Sequence, residues 1–235
     1  MISKKQTIPD KDFGQIHFMV RRSARNITMR VKENGLHVTT PPYRSITALL
    51  NAIAPFREKL LHACAEIKPR PFDLSFSIEA ECFRLRLEAS PLKNFTVKLK
   101  DETVVIACPV TADFTTDRVQ ALVKNAVMRA MRKKAQDYLP PLVQYWSRQF
   151  ELPYHKVSIS KARSRWGSCS SKKDISLSFY LMLLPVHLMD YVILHELAHT
   201  REMNHGPRFW ELLNQMTDGK ALALRKELRA YRPVF

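Results

Sequence analysis

Apolar and polar residues alternate along the first part of this chain in short runs. The residues from His17 to Val20 and from Ile27 to Val31 are strand-like, and Asn34-Gly35 before Leu36-His37-Val38 is a hairpin signal, since both turn positions need φ > 0. This predicts a small antiparallel sheet. Ser45 can cap a helix through Ile46, Leu49, Leu50 and Ile53, kinked near Pro55 and resuming through Phe56, Leu60 and Leu61, to pack on that sheet. After Lys68-Pro69-Arg70-Pro71 the period is two again. Phe83, Leu85 and Leu87 alternate with arginines, Phe95, Val97 and Leu99 with Thr96, Lys98 and Lys100, and Val104-Val105-Ile106 follows a turn at Asp101-Glu102. Each reads as a half-buried strand.

The rhythm then becomes helical. Thr116 or Asp117 caps a long helix with apolar positions at Val119, Leu122, Val123, Ala126, Val127, Ala130 and Met131, which Pro140-Pro141 should break or bend before a second piece ending near Phe150. Its other face carries Lys124, Arg129, Arg132, Lys133 and Lys134. Residues 155–184 alternate through Val157, Ile159, Ile175, Leu177 and Phe179, with a polar turn at Ser170–Asp174. Gly167 within this pattern signals a bulge or the close approach of another backbone.

The next helix, from Pro185, is apolar nearly all round and contains His195-Glu196-Leu197-Ala198-His199. Positions i and i+4 share a helix face, so His195 and His199 present two imidazoles to one point, with Glu196 turned by about 100°. An apolar helix is buried, and buried polar groups are costly unless paired. A metal would pair them. Neutral imidazoles suit Zn²⁺, and a catalytic site takes three protein ligands and a water, with His205 as the candidate third ligand and Glu196 as general base. The bland alternative is a set of hydrogen-bonded polar side chains. Beyond His205, Pro207 starts a helix with Phe209, Leu212, Leu213 and Met216 on one side, and a last helix carries Leu222, Leu224 and Leu228 with a basic face of Lys220, Arg225, Lys226 and Arg229.

Composition narrows the partners. With 38 Lys+Arg against 22 Asp+Glu the formal charge is +16, which favours anionic partners such as nucleic acid. The basic helix face has no interleaved aromatics to stack on bases, and a solvated surface explains it equally well. Cys64, Cys82, Cys108 and Cys169 show no CxxC pairing, the N-terminus has no apolar signal region, and no apolar run of about 18 residues occurs. These features lead us to expect a soluble cytoplasmic protein with no membrane partner.

Taken together, Arg163-Ser164-Arg165-Trp166-Gly167-Ser168-Cys169, the helix Tyr191–His199 and Asn204-His205-Gly206-Pro207-Arg208-Phe209-Trp210 resemble the YgjP-like zinc metallopeptidases. The resemblance implies a zincin-like catalytic domain that hydrolyses peptide bonds, with His195, His199 and His205 on one Zn²⁺ per chain and Glu196 as base. The His205–Phe209 piece is also similar to SprT-like proteases, some of which act on DNA-attached proteins. Metzincins share the His195-to-His205 spacing but have glycine where Glu202 stands here, so the chain is not placed among them. Gluzincins take a downstream glutamate as third ligand, for which Glu202 and Glu211 rank behind His205.

The expected fold is α+β: a loose stretch 1–15, a β-rich module with a helix over 16–112, and a catalytic domain of helices and a small antiparallel sheet over 113–235. Arg163, Arg165, Trp166, Gly167 and Tyr180 are the candidate substrate-binding residues, with Arg163, Arg165, Tyr180 or a more distant group as oxyanion stabiliser. Two other functions stand beside the zinc peptidase: a nucleic-acid-associated protease, and a basic binding module that keeps zinc only as a brace.

Overall fold

The computed structural model describes residues 5–32, 34–42, 44–67 and 71–231. Residues 1–4 of the stretch expected to be loose, and 68–70 of the Lys68-Pro69-Arg70-Pro71 stretch, lie outside these. Two compact units are present, Met1–Arg70 and Pro71–Phe235. Residues 71–112, which the sequence grouped with the N-terminal module, thus belong to the second unit. The reason is a shared core: Phe83, Leu85, Leu87 and Ile106 pack in one cluster with Val123, Val127 and Met131 of the long helix.

The first unit is a sheet with helices. Strands β1 (Lys5–Asp10), β2 (Gly14–Val20), β3 (Thr28–Lys32) and β4 (Gly35–Thr40) lie in the order β1-β2-β4-β3. The two hairpins are antiparallel, but β2 and β4 run parallel, so the sheet is mixed rather than antiparallel as expected. The stretch expected to be loose instead forms β1, which pairs with β2 along its whole length. Its end is tied down by Arg57, 2.7 Å from Asp10 and stacked 5.0 Å over Phe13. Gly35 has φ +120°, and an added Cβ would stand 2.2 Å from the Gln15 carbonyl oxygen, so only glycine fits. Helix α1 (Ile46–Ile53) starts where the Ser45 hydroxyl accepts from the Ala48 N–H, and a 3-10 turn at Ala54–Phe56 leads into α2 (Arg57–Ile67). Ile16, Phe18, Leu36, Val38, Leu49 and Ile53 form the core of this unit.

The second unit begins with the same strand plan. β5 (Ser77–Ala80), β6 (Phe83–Ser90), β7 (Thr96–Lys100) and β8 (Thr103–Pro109) lie in the order β5-β6-β8-β7, with β6 and β8 parallel. The β7–β8 turn uses positive φ at both Asp101 and Glu102, as a tight two-residue hairpin requires. β7 is an edge strand, and Val97 and Leu99 are 50% and 73% exposed rather than half-buried as the alternation implied.

Helix α3 (Asp117–Gln149) runs through Pro140 and Pro141 without a break, so of the break or bend expected there the break does not occur. An interior proline costs about 3 kcal/mol or more. Met131, Ala135, Leu139 and Val143 are all fully buried around it, and a large apolar side chain contributes about 1.5–3 kcal/mol when buried, so packing offsets the lost backbone bonds. After α3 come β9 (Lys156–Ser160), β10 (Gly167–Cys169) and β11 (Asp174–Ser178) in the order β10-β11-β9. β10 and β11 pair antiparallel across the polar turn, while β9 joins β11 in parallel, so this sheet is mixed rather than antiparallel as expected. A buried 3-10 turn, Phe179–Leu183, then leads to α4 (Val186–Ala198), α5 (Pro207–Met216) and α6 (Ala221–Ala230). Among the described residues no helix is long and apolar enough to cross a membrane.

Leu139→Ala should lower the unfolding free energy by about 2–5 kcal/mol, whereas Leu122→Ala, at a position 43% exposed, should shift it by no more than about 0.5 kcal/mol. Urea unfolding followed by tryptophan fluorescence reads the second unit, because Trp146, Trp166 and Trp210 all lie in it.

Candidate metal centre

Helix α4 is buried at Leu188, Met189, Tyr191, Val192, Ile193, Leu194, Leu197 and Ala198, which fixes the rotation that turns His195 and Glu196 toward the site. His199 sits at the C-cap, so the second imidazole lies where the helix ends. The chain then turns back on short-range bonds, Thr200 N–H to the Leu197 carbonyl at 2.9 Å and Arg201 N–H to the Ala198 carbonyl at 3.1 Å. No residue from 200 to 206 takes a positive φ, so this turn needs no glycine and Glu202 fits. His205 follows just before α5, whose start is set by Gly206 at the N-cap and Pro207 in the first turn.

The three histidines meet. Their ligand atoms all lie within 4.8 Å of one another, and Nε2 of His195 is 3.1 Å from Nε2 of His205. Phe209, fully buried on α5, is the floor beneath them: its ring centroid lies 4.9, 4.6 and 4.7 Å from those of His195, His199 and His205. His199 is oriented by its Nδ1, which donates to the Glu202 carbonyl at 3.0 Å and leaves Nε2 for the centre, the usual support of a metal-bound imidazole. Glu202 therefore contributes a backbone oxygen, and Glu211 is exposed on α5. Met216 is core and Met203 is 47% exposed.

Burial, with help from the neighbouring histidines, pushes His195 down to about 3, and burial also lowers His199. Both are thus neutral imidazoles, the form that binds a metal. Three converging nitrogen donors fit a divalent cation, and the short His195–His205 contact is of the kind expected when two lone pairs share one ion. Burial pushes Glu196 up to about 7 against the opposing pull of Arg165. A cation held by the histidines would favour its ionised form.

The remaining sequence candidates divide. Gly167 lies on β10 directly against Glu196: an added Cβ would stand 2.6 Å from Oε1, 2.7 Å from Cγ and 2.9 Å from Cδ. The close approach signalled by this glycine is therefore that of a side chain, not of another backbone. Arg165 acts electrostatically on Glu196, and Trp166 lines a cavity with His195 and Glu196. Arg163 stacks 5.4 Å over the ring of Tyr180, which is a buried core residue beside Phe179. Ser178 pins both ends of the loop carrying the arginines, donating from its hydroxyl to the Ala162 carbonyl at 2.6 Å and from its N–H to the Trp166 carbonyl at 2.8 Å. Sequence reasoning placed Arg225 on the basic outer face of α6, yet it is half-buried and stacked 4.9 Å over Trp210. Trp210 three residues beyond Pro207 was the available signal.

Gly167→Ala should destabilise the protein by about 1–3 kcal/mol through overpacking, and Glu196→Ala should relieve it by removing the three atoms in the way. A double-mutant cycle on thermal unfolding measures this; additive effects would mean that the glycine answers to some other neighbour.

No curated protein matches the chain. Among solved structures, the metallopeptidase zymogen abylysin of Pyrococcus abyssi aligns with 21% identity and a TM-score of 0.35, over 38% of this chain and 90% of that one. Residues 25–231 match the metallopeptidase domain of the YgjP-like family. That span holds both β10 and the three histidines, and the chain belongs to the YgjP-like metallopeptidases.

Proposed function

We propose that the protein is a zinc-dependent peptidase in which His195, His199 and His205 hold one Zn²⁺ per chain and Glu196 is the general base. The observation that carries this is the convergence of three imidazoles on one point beside a buried carboxylate. Zinc at the three imidazoles would supply a Lewis acid that polarises the scissile carbonyl and acidifies the attacking water. Glu196 takes the proton of that water and hands it to the leaving amine. Arg165, the cation acting on Glu196, steadies the developing oxyanion. Arg163 and Tyr180, stacked on each other, hold the Arg165 loop in place.

The substrate backbone lies along β10. This strand is at the edge of its sheet, so one side of its backbone is available to an extended peptide, and Gly167 brings that peptide close to Glu196. A structural zinc brace fits less well, because a closed site takes four protein ligands and gives Glu196 no task. Cys64, Cys82, Cys108 and Cys169 as thiols support a reducing compartment, and we place the protein in the cytoplasm. The charge of +16, with Arg129, Arg132 and Lys133 exposed on α3, also supports action near nucleic acid.

In an unstructured protein mixture analysed by mass spectrometry, zinc-loaded wild type should create new peptide termini that a chelator abolishes. Glu196→Gln should bind zinc normally and cut about 10²–10⁴-fold more slowly. Cleavage that persists in Glu196→Gln would remove it as base. His205→Ala should lose more zinc affinity than the about 10–100-fold caused by losing a supporting partner, as read by competition with a chelating dye. Added DNA should speed cleavage at low salt if the nucleic-acid association holds, and indifference to DNA would remove that association.

A further inference from the structure

Beside His195 and Glu196 lies a cavity of about 240 Å³, smaller than the roughly 300–1,000 Å³ of sites for drug-sized ligands and suited to a single side chain. Trp166, Val192 and Leu228 supply apolar walls, and Tyr191, Arg225 and Arg229 supply polar groups. These polar groups are donors. The Tyr191 hydroxyl and His195 Nδ1 are both buried with no hydrogen-bond partner among the described residues. With its Nε2 on a metal, His195 would present an N–H at Nδ1. Arg225 and Arg229 line the same cavity as Tyr191. Trp210 holds Arg225 in place from 4.9 Å. Glu196, at the reacting end, repels a second negative charge from its own side and leaves the tyrosine–arginine end for it.

We propose that this cavity is a carboxylate-binding subsite, in which the apolar walls take the methylenes of a substrate residue and Arg225, Arg229 and the Tyr191 hydroxyl take its carboxylate. It rests on the peptidase reading of the adjoining residues and narrows it to substrates with an acidic side chain, or a free C-terminal carboxylate, next to the cleaved bond. Glutamate suits the apolar walls through its two methylenes. Glutamine keeps that shape but lacks the charge, and lysine brings a third positive charge against the arginines.

The test measures binding apart from turnover. Zinc-loaded Glu196→Gln is titrated with unstructured peptides, capped at both ends, that carry glutamate, glutamine or lysine at each position in turn, with tryptophan fluorescence as readout. A further glutamine peptide ends in a free carboxylate. Glutamate at one position should tighten Kd about tenfold over glutamine, and lysine should weaken it. Arg225→Gln and Arg229→Gln should each shrink the glutamate advantage to about twofold or less and leave the glutamine Kd unchanged, in variants whose zinc content and melting temperature match the parent. A gain confined to the free-carboxylate peptide would assign the subsite to the chain end. Equal affinity for glutamate, glutamine and lysine, or a preference that survives both substitutions, would overturn the proposal. A glutamate preference in Glu196→Gln beside a wild type that cuts nothing would sink the peptidase reading and leave the subsite standing.

Discussion

A carboxylate 6% exposed on a helix of buried apolar residues loses hydration worth several kcal/mol unless charge or hydrogen bonding returns it. Much of the second unit is arranged around that cost at Glu196. Helix α4 is packed on enough sides that it cannot roll to release the carboxylate to solvent. β10 gives up a side chain at Gly167 so that the carboxylate can lie flat against it. Phe209 holds three imidazoles edge-on and face-on at nearly equal distances, so a positive ion placed among them would lie beside the residue that most needs one. The apolar surroundings and the cation site are one device, since low polarity strengthens the attraction between them.

The parts of this arrangement visible in the sequence are those whose cause is local. His195 and His199 are four residues apart on a helix, and their shared face follows from helical rise alone. Asp101-Glu102 sits between two alternating runs, and the turn follows from their lengths. Where the cause lay in distant residues the sequence was silent or misleading. β1 is polar with every other residue exposed, and it is ordered by backbone pairing and by Arg57, which lies far along the chain. Pro140-Pro141 is a local stop signal overruled by side chains buried on both sides of it. Alternation in β7 described a strand correctly but not its position at the sheet edge, which depends on β6 and β8 choosing each other. Gly167 signalled a close approach, and only the fold could say that the neighbour was Glu196.

The third imidazole poses a different problem, because His205 is exposed and reaches the site from a loop. Precision there has to come from the two helices that flank the loop. At one end the Glu202 carbonyl is tied to His199, and its N–H bonds the Ala198 carbonyl at 2.9 Å, so the loop leaves α4 in a fixed direction. At the other, Gly206 N–H bonds the Asn204 carbonyl at 2.7 Å and Pro207 sets the first turn of α5, whose Phe209 is in the core. Five residues separate His199 from His205, and little of that span is left without a restraint.

The same economy extends to α6. Arg225 is stacked on Trp210 of α5, Glu227 pairs with His187 of α4 at 2.8 Å, and just beyond the helix Tyr231 donates to the Leu183 carbonyl and packs edge-on against Trp166. Those contacts run to α5, α4, the 3-10 turn and the residue before β10, which are the elements that carry or border the site. The wall of the cavity is thus held by the same packing that orients the histidines and Glu196. A recognition surface built on a helix fixed in this way can hold a charge in place without a loop having to close, so choice of substrate and orientation of the reacting groups depend on one rigid body rather than two.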